Sequence, residues 1–389
     1  PNTQLRQGDT IAYIRSEIPE FQLPTLEGER YEAMVPDTLD LQERAALAVK
    51  GLTGPTDPDA DYELYFLATL NHNPPMMRHQ CWDHENQWKF MESLQLVRLV
   101  SGSDVNEHVE RRWMEVILRM QGPDGLLYMP TRGRPWARVR LDKYDDLERT
   151  LAADHLTLPA DCGCALGALS LYALRDSSDG WRSVVERLVD ALAARAIERE
   201  DYAYCPQAIF LPGEETDPNA EMPGPFLGSF GGWVAVGLAQ AYRALNYEPA
   251  LELAGKLCRH LKDHNNHFAP DGTFLPDRPL ERPTAHFYHH AIGLQAMLDY
   301  GMLSGDQEMI DFAHRGFQYG MANGEMLTGY FPETIGSSHL QHSEICEVAT
   351  MIALGLKLTE AGVGDYLDDV DRWMRNMLVE MQLTPAKGD

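Results

Sequence analysis

The stretch CALGALSLYAL, Cys164–Leu174, followed after a turn by WRSVVERLVDALAARAIERE, Trp181–Glu200, decides the fold of this chain. Both segments carry a helical period, yet they differ in kind. The first is apolar on most faces and rich in small residues, as a helix buried all round must be. The second has one apolar stripe and a charged remainder, as a helix covering a core must have. Ser177-Ser178-Asp179-Gly180 supplies the turn between them. The contrast recurs along the chain. GGWVAVGLAQAY from Gly231 and EVATMIALGLKL from Glu347 are of the buried kind, and GDYLDDVDRWMRNMLVEMQ from Gly364 is of the covering kind.

Extending the period outward predicts helices near 39–53, 85–101, 105–121, 161–176, 180–199, 229–246, 248–264, 286–303, 306–321, 344–361 and 363–382. Alternating strand patterns are few. From residue 85 the helices fall into pairs, an inner member first, with inner starts roughly 57 to 76 residues apart. Five pairs, the helix at 39–53 and a short partner near 62–70 make six hairpins. The expected fold class is therefore all-α, an (α/α)6 toroid of inner and outer helices. An open α-solenoid is the alternative, although solenoid repeats are shorter and more regular. Residues 1–38, with Pro19, Pro24 and Pro36, are expected to form an extended N-terminal arm, and 39–389 a single barrel domain.

Composition narrows the function. The 389 residues include 33 Lys plus Arg against 59 Asp plus Glu, a formal net charge of −26. Such a field repels phosphate backbones and anionic bilayers, so neither nucleic acid nor a membrane is the expected partner. The uncharged run Met222–Tyr242 is long enough to span a bilayer, but its prolines and glycines, with Ser229 and Gln240, fit a buried helix and its entry loop better. Six scattered cysteines without a CxxC pair read as reduced thiols. No leader pattern opens the chain, so a soluble, cytoplasmic protein is expected, although a chain opening at Pro1 is compatible with a leader already removed. A homo-oligomer is compatible with this composition.

If the inner helices run the same way, their N-termini share one mouth. The residues there are Cys81-Trp82-Asp83-His84-Glu85-Asn86, Pro159-Ala160-Asp161-Cys162, Gly228-Ser229-Phe230-Gly231-Gly232-Trp233, His286-Phe287-Tyr288-His289-His290 and His339 to Glu347. Carboxylates, imidazoles and aromatic rings recur at these starts, while the inner-helix bodies are apolar. Sugar chemistry fits that inventory: glycoside hydrolysis needs two carboxyl groups, one of them protonated, and flat rings pack on sugar faces. The candidate carboxyls are Glu85, Asp161, Glu333, Glu344 and Glu347. Capping explains Asp83 and Asp161 without catalysis, and Glu347 can simply support the first helical turn. Glu344, preceded by histidines and followed by Cys346, is the leading candidate.

His286, His289 and His290 share one helix face by their i, i+3, i+4 spacing, which favours a polar site over a histidine-filled core. His339, His342, Glu344 and Cys346 are donors suited to zinc, but their spacing matches no zinc signature and HExxH is absent, so no metal or cofactor is expected. Thr131–Lys143 is locally cationic. It reads either as a solvated loop balanced by Asp145 and Asp146, or as a lid offering Arg132 or Arg134 to a substrate carboxylate.

The hairpin spacing, the Gly-Gly-Trp-Val-Ala-Val-Gly-Leu inner helix and the Asp opening the Cys162–Tyr172 helix resemble (α/α)6 glycosidases acting on uronic acids, among them the unsaturated glucuronyl hydrolases. The run from Pro36-Asp37-Thr38-Leu39-Asp40-Leu41 through Glu344-Ile345-Cys346-Glu347 to Asp369-Val370-Asp371-Arg372-Trp373 looks most like glycoside hydrolase family 154, the β-glucuronidases. In the unsaturated hydrolases two aspartates at inner-helix starts act, and Asp83 and Asp161 are the matching positions, more widely separated here. Glu344-Ile345-Cys346 is also similar to the Glu-x-Cys element of the family 127 β-L-arabinofuranosidases. In those enzymes the Cys is the nucleophile, zinc holds the site, and two further adjacent Cys ligands follow. Here no cysteine follows Cys346.

The expectation is thus an exo-acting glycoside hydrolase, β-glucuronidase-like, with a carbohydrate substrate. Glu344 would be the acid or base with Asp161 or Glu85 opposite. His84, His286, His289, His290, His342, Trp82, Trp233, Tyr288, Arg132, Arg134, Glu333 and Cys346 would bind substrate. The alternatives are a sugar epimerase or isomerase of the same architecture using paired histidines, and a carbohydrate-binding toroid without catalysis.

Overall fold

The computed structural model describes residues 11–22, 39–69, 73–79, 83–134, 152–176, 179–277, 283–336 and 342–384, the side chains of 67, 68, 78 and 83–86 excepted. Eleven helices of seven or more residues occur among them: α1 Leu41–Thr53, α2 Asp83–Ser101, α3 Glu107–Met120, α4 Pro159–Arg175, α5 Asp179–Arg195, α6 Gly231–Leu245, α7 Glu248–Arg259, α8 Phe287–Ser304, α9 Gln307–Ala322, α10 Ile345–Glu360 and α11 Leu367–Trp373. Strands are two or three residues long and pair only as local antiparallel ribbons. The fold is all-α.

The contrast between helix kinds is visible in burial. Thirteen of the seventeen residues of α4 are buried, against seven of the seventeen of its partner α5. In α8 twelve of eighteen are buried, and in α9 seven of sixteen. The turn between α8 and α9 shows how sequence sets an end. Gly305 closes α8 in the left-handed region at φ 77°, and Asp306 then caps α9 by accepting from the Met309 N–H.

The chain forms two compact units that interleave in sequence. The first comprises 1–195, 207–215 and 244–246, and the second 196–206, 216–243 and 247–389. In the first, α2 packs between α1 and α4, and α4 against α5. The described part of the N-terminal arm, 11–22, has no regular structure and lies along α3, with Arg15 N–H donating to the Arg119 carbonyl. In the second, α8 is central and packs on α7, α9 and α10. There α6 and α8 approach closely enough that a β-carbon at Gly232 would meet the Gly293 backbone at 3.4 Å. That approach sets Trp233 against Tyr288.

Residues 62–70 correct one expectation. Instead of a helix, Glu63–Leu64 and Leu67–Thr69 are strand residues, after a turn in which Asp61 and Tyr62 both hold positive φ. Tyr65 and Leu67 flank Phe66, so the apolar run also suits an extended chain. Helix α5 stops at Arg195, short of the predicted 199, because Ile197–Glu198 pairs with Ala203–Tyr204. The last helix occupies only the middle of the predicted 363–382, continuing from Trp373 as a π-turn over Met374–Leu378.

The first unit holds a buried ion pair whose energetics are testable. Arg98 Nε donates to Glu110 Oε2 at 2.6 Å, with both side chains essentially inaccessible, and Arg98 Nη1 closes the α2–α3 turn on the Ser103 and Val105 carbonyls. Glu110→Leu leaves a guanidinium buried without its charge partner and should cost about 3–5 kcal/mol in urea denaturation. The double variant Arg98→Met/Glu110→Leu should lose less than the two single variants added together.

Candidate functional site

The second unit gathers most of the candidate residues around the starts of α8 and α10. Helix α8 is entered through Ala285–His286, which pairs with Thr334–Ile335, so His286 lies opposite Thr334. The pairing brings in Glu333, whose carbonyl accepts from the Phe287 N–H at 2.9 Å. The Glu333 carboxylate, nearly buried, bonds His342 Nε2 and lies 3.9 Å from His286 Nε2. Glu333 N–H also donates to the His342 carbonyl at 2.9 Å, which ties the approach to α10 to the entry of α8.

His286 and His289 stack, with ring centroids 4.2 Å apart. Around His289 stand Phe226, Phe230 and Trp233, at 5.1 to 5.8 Å between centroids. Trp233 Nε1–H donates to Tyr288 Oη at 3.3 Å. Trp233 thus packs edge to face with Phe230, Tyr288 and His289. Two residues that the sequence did not single out hold His289: its Nδ1 is 3.0 Å from Ser229 Oγ and 3.4 Å from Asp277 Oδ2. Asp277 is buried, and its Oδ1 accepts from the His286 N–H at 2.8 Å.

His290 departs from its expected role. It is fully buried, with Nδ1 2.8 Å from the His286 carbonyl and Nε2 2.9 Å from the carbonyls of His267 and Leu275. Burial lowers its basicity, and no edge is left for a substrate hydroxyl. Its ring lies flat on His267 at 3.7 Å and 7°, and His267 is held neutral by burial and by the neighbouring imidazole. The donor atoms of His267, Asp277 and His290 lie within 4.8 Å of one another. A ligated metal lies in the plane of each imidazole, however, and two parallel planes 3.7 Å apart cannot share one. This is core packing.

At α10, Glu344 is the exposed residue preceding the first turn and makes no capping bond. Glu347, one turn in, is completely buried. Cys346 Sγ lies 3.2 Å from Glu344 Oε2 and 3.0 Å from Glu347 Oε2. A thiol has one proton, and two oxygens face it. The Sγ–H can donate to either oxygen, and to one of them at a time. Burial pushes the Glu347 carboxyl up to about 7; the Cys346 hydrogen bond opposes this, and the Glu344 and Glu333 charges add to it. Burial, then Glu347 and Glu344, push the Cys346 thiol far above its ordinary range, which disfavours the thiolate. Glu344, Cys346 and Glu347 are also the second compact donor group among the described residues.

The remaining candidates lie in the first unit or outside the described residues. Asp161 is buried in the first turn of α4, where Leu158 holds the cap position, so it is not the helix cap that the sequence allowed. Glu85 and His84 belong to α2, with side chains outside the described set, and Trp82 and His339 lie outside the described residues, as does 135–143 of the cationic loop. Arg132 is exposed. Arg134 corrects the lid reading: it is buried and ion-paired with buried Glu63, in a cavity lined also by Tyr13, Gln87, Trp88 and Trp113. Burial lowers its guanidinium to about 10. An arginine so held does not reach out to a substrate.

No protein-family profile matches the chain, and no curated protein is similar in sequence. Solved structures are similar in fold. A sugar epimerase from a ruminal bacterium aligns over 90% of this chain and 88% of its own at 12% identity, with a TM-score of 0.61. A D-mannose isomerase aligns over 90% and 87% at 13% identity, with a TM-score of 0.60. An unsaturated glucuronyl hydrolase specific for heparin aligns over 88% and 84% at 12% identity, with a TM-score of 0.56. The likeness shows the fold class, that of the (α/α)6 toroid enzymes. Among the described residues no helix is long and apolar enough to cross a membrane.

The raised Glu347 carboxyl has a consequence for stability. Its folded value, about 7, lies above the ordinary 4.5, so the folded state holds the proton more tightly. The stability this gives is complete below about pH 4.5 and is lost as pH rises through 7, by about 3 kcal/mol in all. Urea denaturation at about pH 5 and about pH 8 should therefore show a fall in the wild type that Glu347→Gln largely removes.

Proposed function

We propose that the protein is a carbohydrate-active enzyme, a glycoside hydrolase that releases a β-linked glucuronate-type sugar from a chain end. The observation that carries this reading is Glu347, a buried carboxyl that keeps its proton near neutrality beside the exposed carboxylate of Glu344. Glycoside cleavage uses such a pair: the protonated carboxyl gives its proton to the leaving oxygen, and the ionised one acts on the opposite side as base or nucleophile. Glu347 is assigned as the acid. Glu344 or Glu333 is assigned as its ionised partner, Trp233 and Tyr288 as the sugar platform, and His286, His289 and His342 as ligands of hydroxyls or the uronate. The heparin-specific glucuronyl hydrolase among the structural neighbours supports the substrate class.

A second reading has its own observation. The stacked pair His286 and His289, 4.2 Å apart, suits proton removal and return at a sugar carbon. The epimerase and the isomerase among the neighbours support that alternative.

Release of 4-nitrophenol from a panel of 4-nitrophenyl glycosides, β-glucuronide first, separates the two. Glu347→Gln should lose roughly 10²–10⁴-fold in kcat/KM, and Glu360→Gln, at the far exposed end of α10, should lose nothing. The wild-type rate should fall as pH rises through about 7, where Glu347 gives up its proton. A panel left uncleaved, with deuterium entering a free sugar at carbon in heavy water, would replace the hydrolase by the epimerase or isomerase.

A further inference from the structure

The thiol of Cys346 stands between the two carboxyls at the start of α10, and its single proton cannot serve both at once. Glu344 Oε2 lies 3.2 Å from Sγ, and Glu347 Oε2 lies 3.0 Å from it. The two carboxyls differ in what else meets them. Glu344 is exposed, so water supplies donors to its carboxylate. Glu347 is fully buried, and its other oxygen, Oε1, has no hydrogen-bond partner. The Cys346 hydrogen bond does most to favour the ionised form of Glu347, and its own backbone N–H does less; the Glu344 and Glu333 charges oppose them. The thiol also stays a donor, because burial and the two glutamates at the start of α10 hold its proton on sulfur. A buried carboxylate short of donors is costly, so the place of this one proton matters most when Glu347 ionises.

We propose that Cys346 is a positioning residue whose S–H serves Glu344 while Glu347 holds its proton, and turns to Glu347 Oε2 when that proton leaves. The buried carboxylate then gains a donor in the step that forms it. The catalytic part rests on the reading of Glu347 as the acid of glycoside cleavage. In that step the Glu347 O–H bond breaks and its electron pair stays on the carboxyl group. The proton bonds to the leaving oxygen as the glycosidic C–O bond breaks, and that bond's electron pair goes to the same oxygen. The new negative charge appears where an ionised group is least well solvated. A donor already 3.0 Å away meets it by rotation about the Cβ–Sγ bond, with no heavy atom displaced. Such a donor acts on the ionised carboxyl more than on the protonated one, so it favours turnover over substrate binding. The sulfur is neither attacked nor oxidised.

Titration of the full chain labelled with ¹³C at the glutamate carboxyl carbons reads the ionisation of Glu347 without any substrate. The signal missing in Glu347→Gln assigns it. The wild type should titrate at about 7. Cys346→Ala removes the donor, so the midpoint should rise, by about half a pH unit or more. Water admitted to the space left behind would lower the midpoint instead, so the sign separates a lost donor from a loosened site. Cys346→Ser, whose hydroxyl can donate in the same place, should stay near the wild-type midpoint. In the glycoside assay, the falling limb of the kcat profile should move up with the Cys346→Ala midpoint. At about pH 6 its kcat should drop roughly tenfold with KM little changed, and Cys346→Ser should restore it. A Cys346→Ala midpoint at or below that of the wild type overturns the proposal, as does an equal rise in Cys346→Ser. A raised midpoint with undiminished kcat refutes the catalytic part. A panel of glycosides left uncleaved overturns that part together with the reading it rests on, and the titration still decides whether the thiol serves the buried carboxylate. Should Cys346→Ala fail to fold, Cys346→Val, which keeps the volume without the donor, is held to the same criterion.

Discussion

A helix buried on most of its surface still has to satisfy the backbone groups at its first turn, and that requirement organises the second unit. Around α8, whose body is nearly all apolar, the Phe287 N–H is met by the Glu333 carbonyl and the His286 N–H by the Asp277 carboxyl. Both partners arrive from outside the helix, Glu333 just before the Thr334–Ile335 strand and Asp277 from upstream of α8 in the chain. Each brings a carboxyl group close to a histidine that it would otherwise have no reason to approach. Glu333 and Asp277 thus help to make burial of α8 tolerable, the first through its main-chain carbonyl and the second through its carboxylate.

Two kinds of carboxyl result, and burial separates them. Glu333 is nearly buried and bonded to His342. Glu347 is fully buried beside the Cys346 thiol, with the Glu344 and Glu333 charges near it, so its neutral form is favoured. The whole-chain charge of −26 plays little part in either outcome. What decides for Glu347 is burial, which outweighs the thiol hydrogen bond, while the charges of the outer helices are screened by solvent.

The fold was legible because burial leaves a period. All eleven helices lie where the apolar spacing put them, and the alternation of buried and covering kinds, CALGALSLYAL against WRSVVERLVDALAARAIERE, reappears as the burial of α4 against α5. The site was less legible. Glu344, Cys346, His286 and His289 could be found because they crowd the starts of apolar helices. Asp277 could not, since it reaches its partners from a loop residue with no periodic neighbour. His290 misled because i, i+4 spacing places two residues on one helix face without saying how each side chain turns, and its ring turns into the core. Arg134 misled because a cationic run says nothing of a partner at Glu63, seventy-one positions away. Glu347 stands among the candidate carboxyls in the sequence, with helix support as its other reading, and its burial is what raises its carboxyl to about 7.

The same arrangement explains why hydrolase and isomerase are hard to tell apart at such a site. Either reaction needs a proton donor and a proton acceptor facing one sugar ring, with water kept from the acceptor. On the proposed reading the starts of α8 and α10 supply Glu347 as the protonated acid and the stacked rings of His286 and His289 as the bases. Hydrolysis differs from isomerisation in whether the donated proton meets a glycosidic oxygen or a ring-opened carbonyl. On the proposed reading that depends on which sugar atom rests on Trp233 and Tyr288, so the acid–base equipment would belong to the helix starts and the choice of reaction to how the ligand is seated.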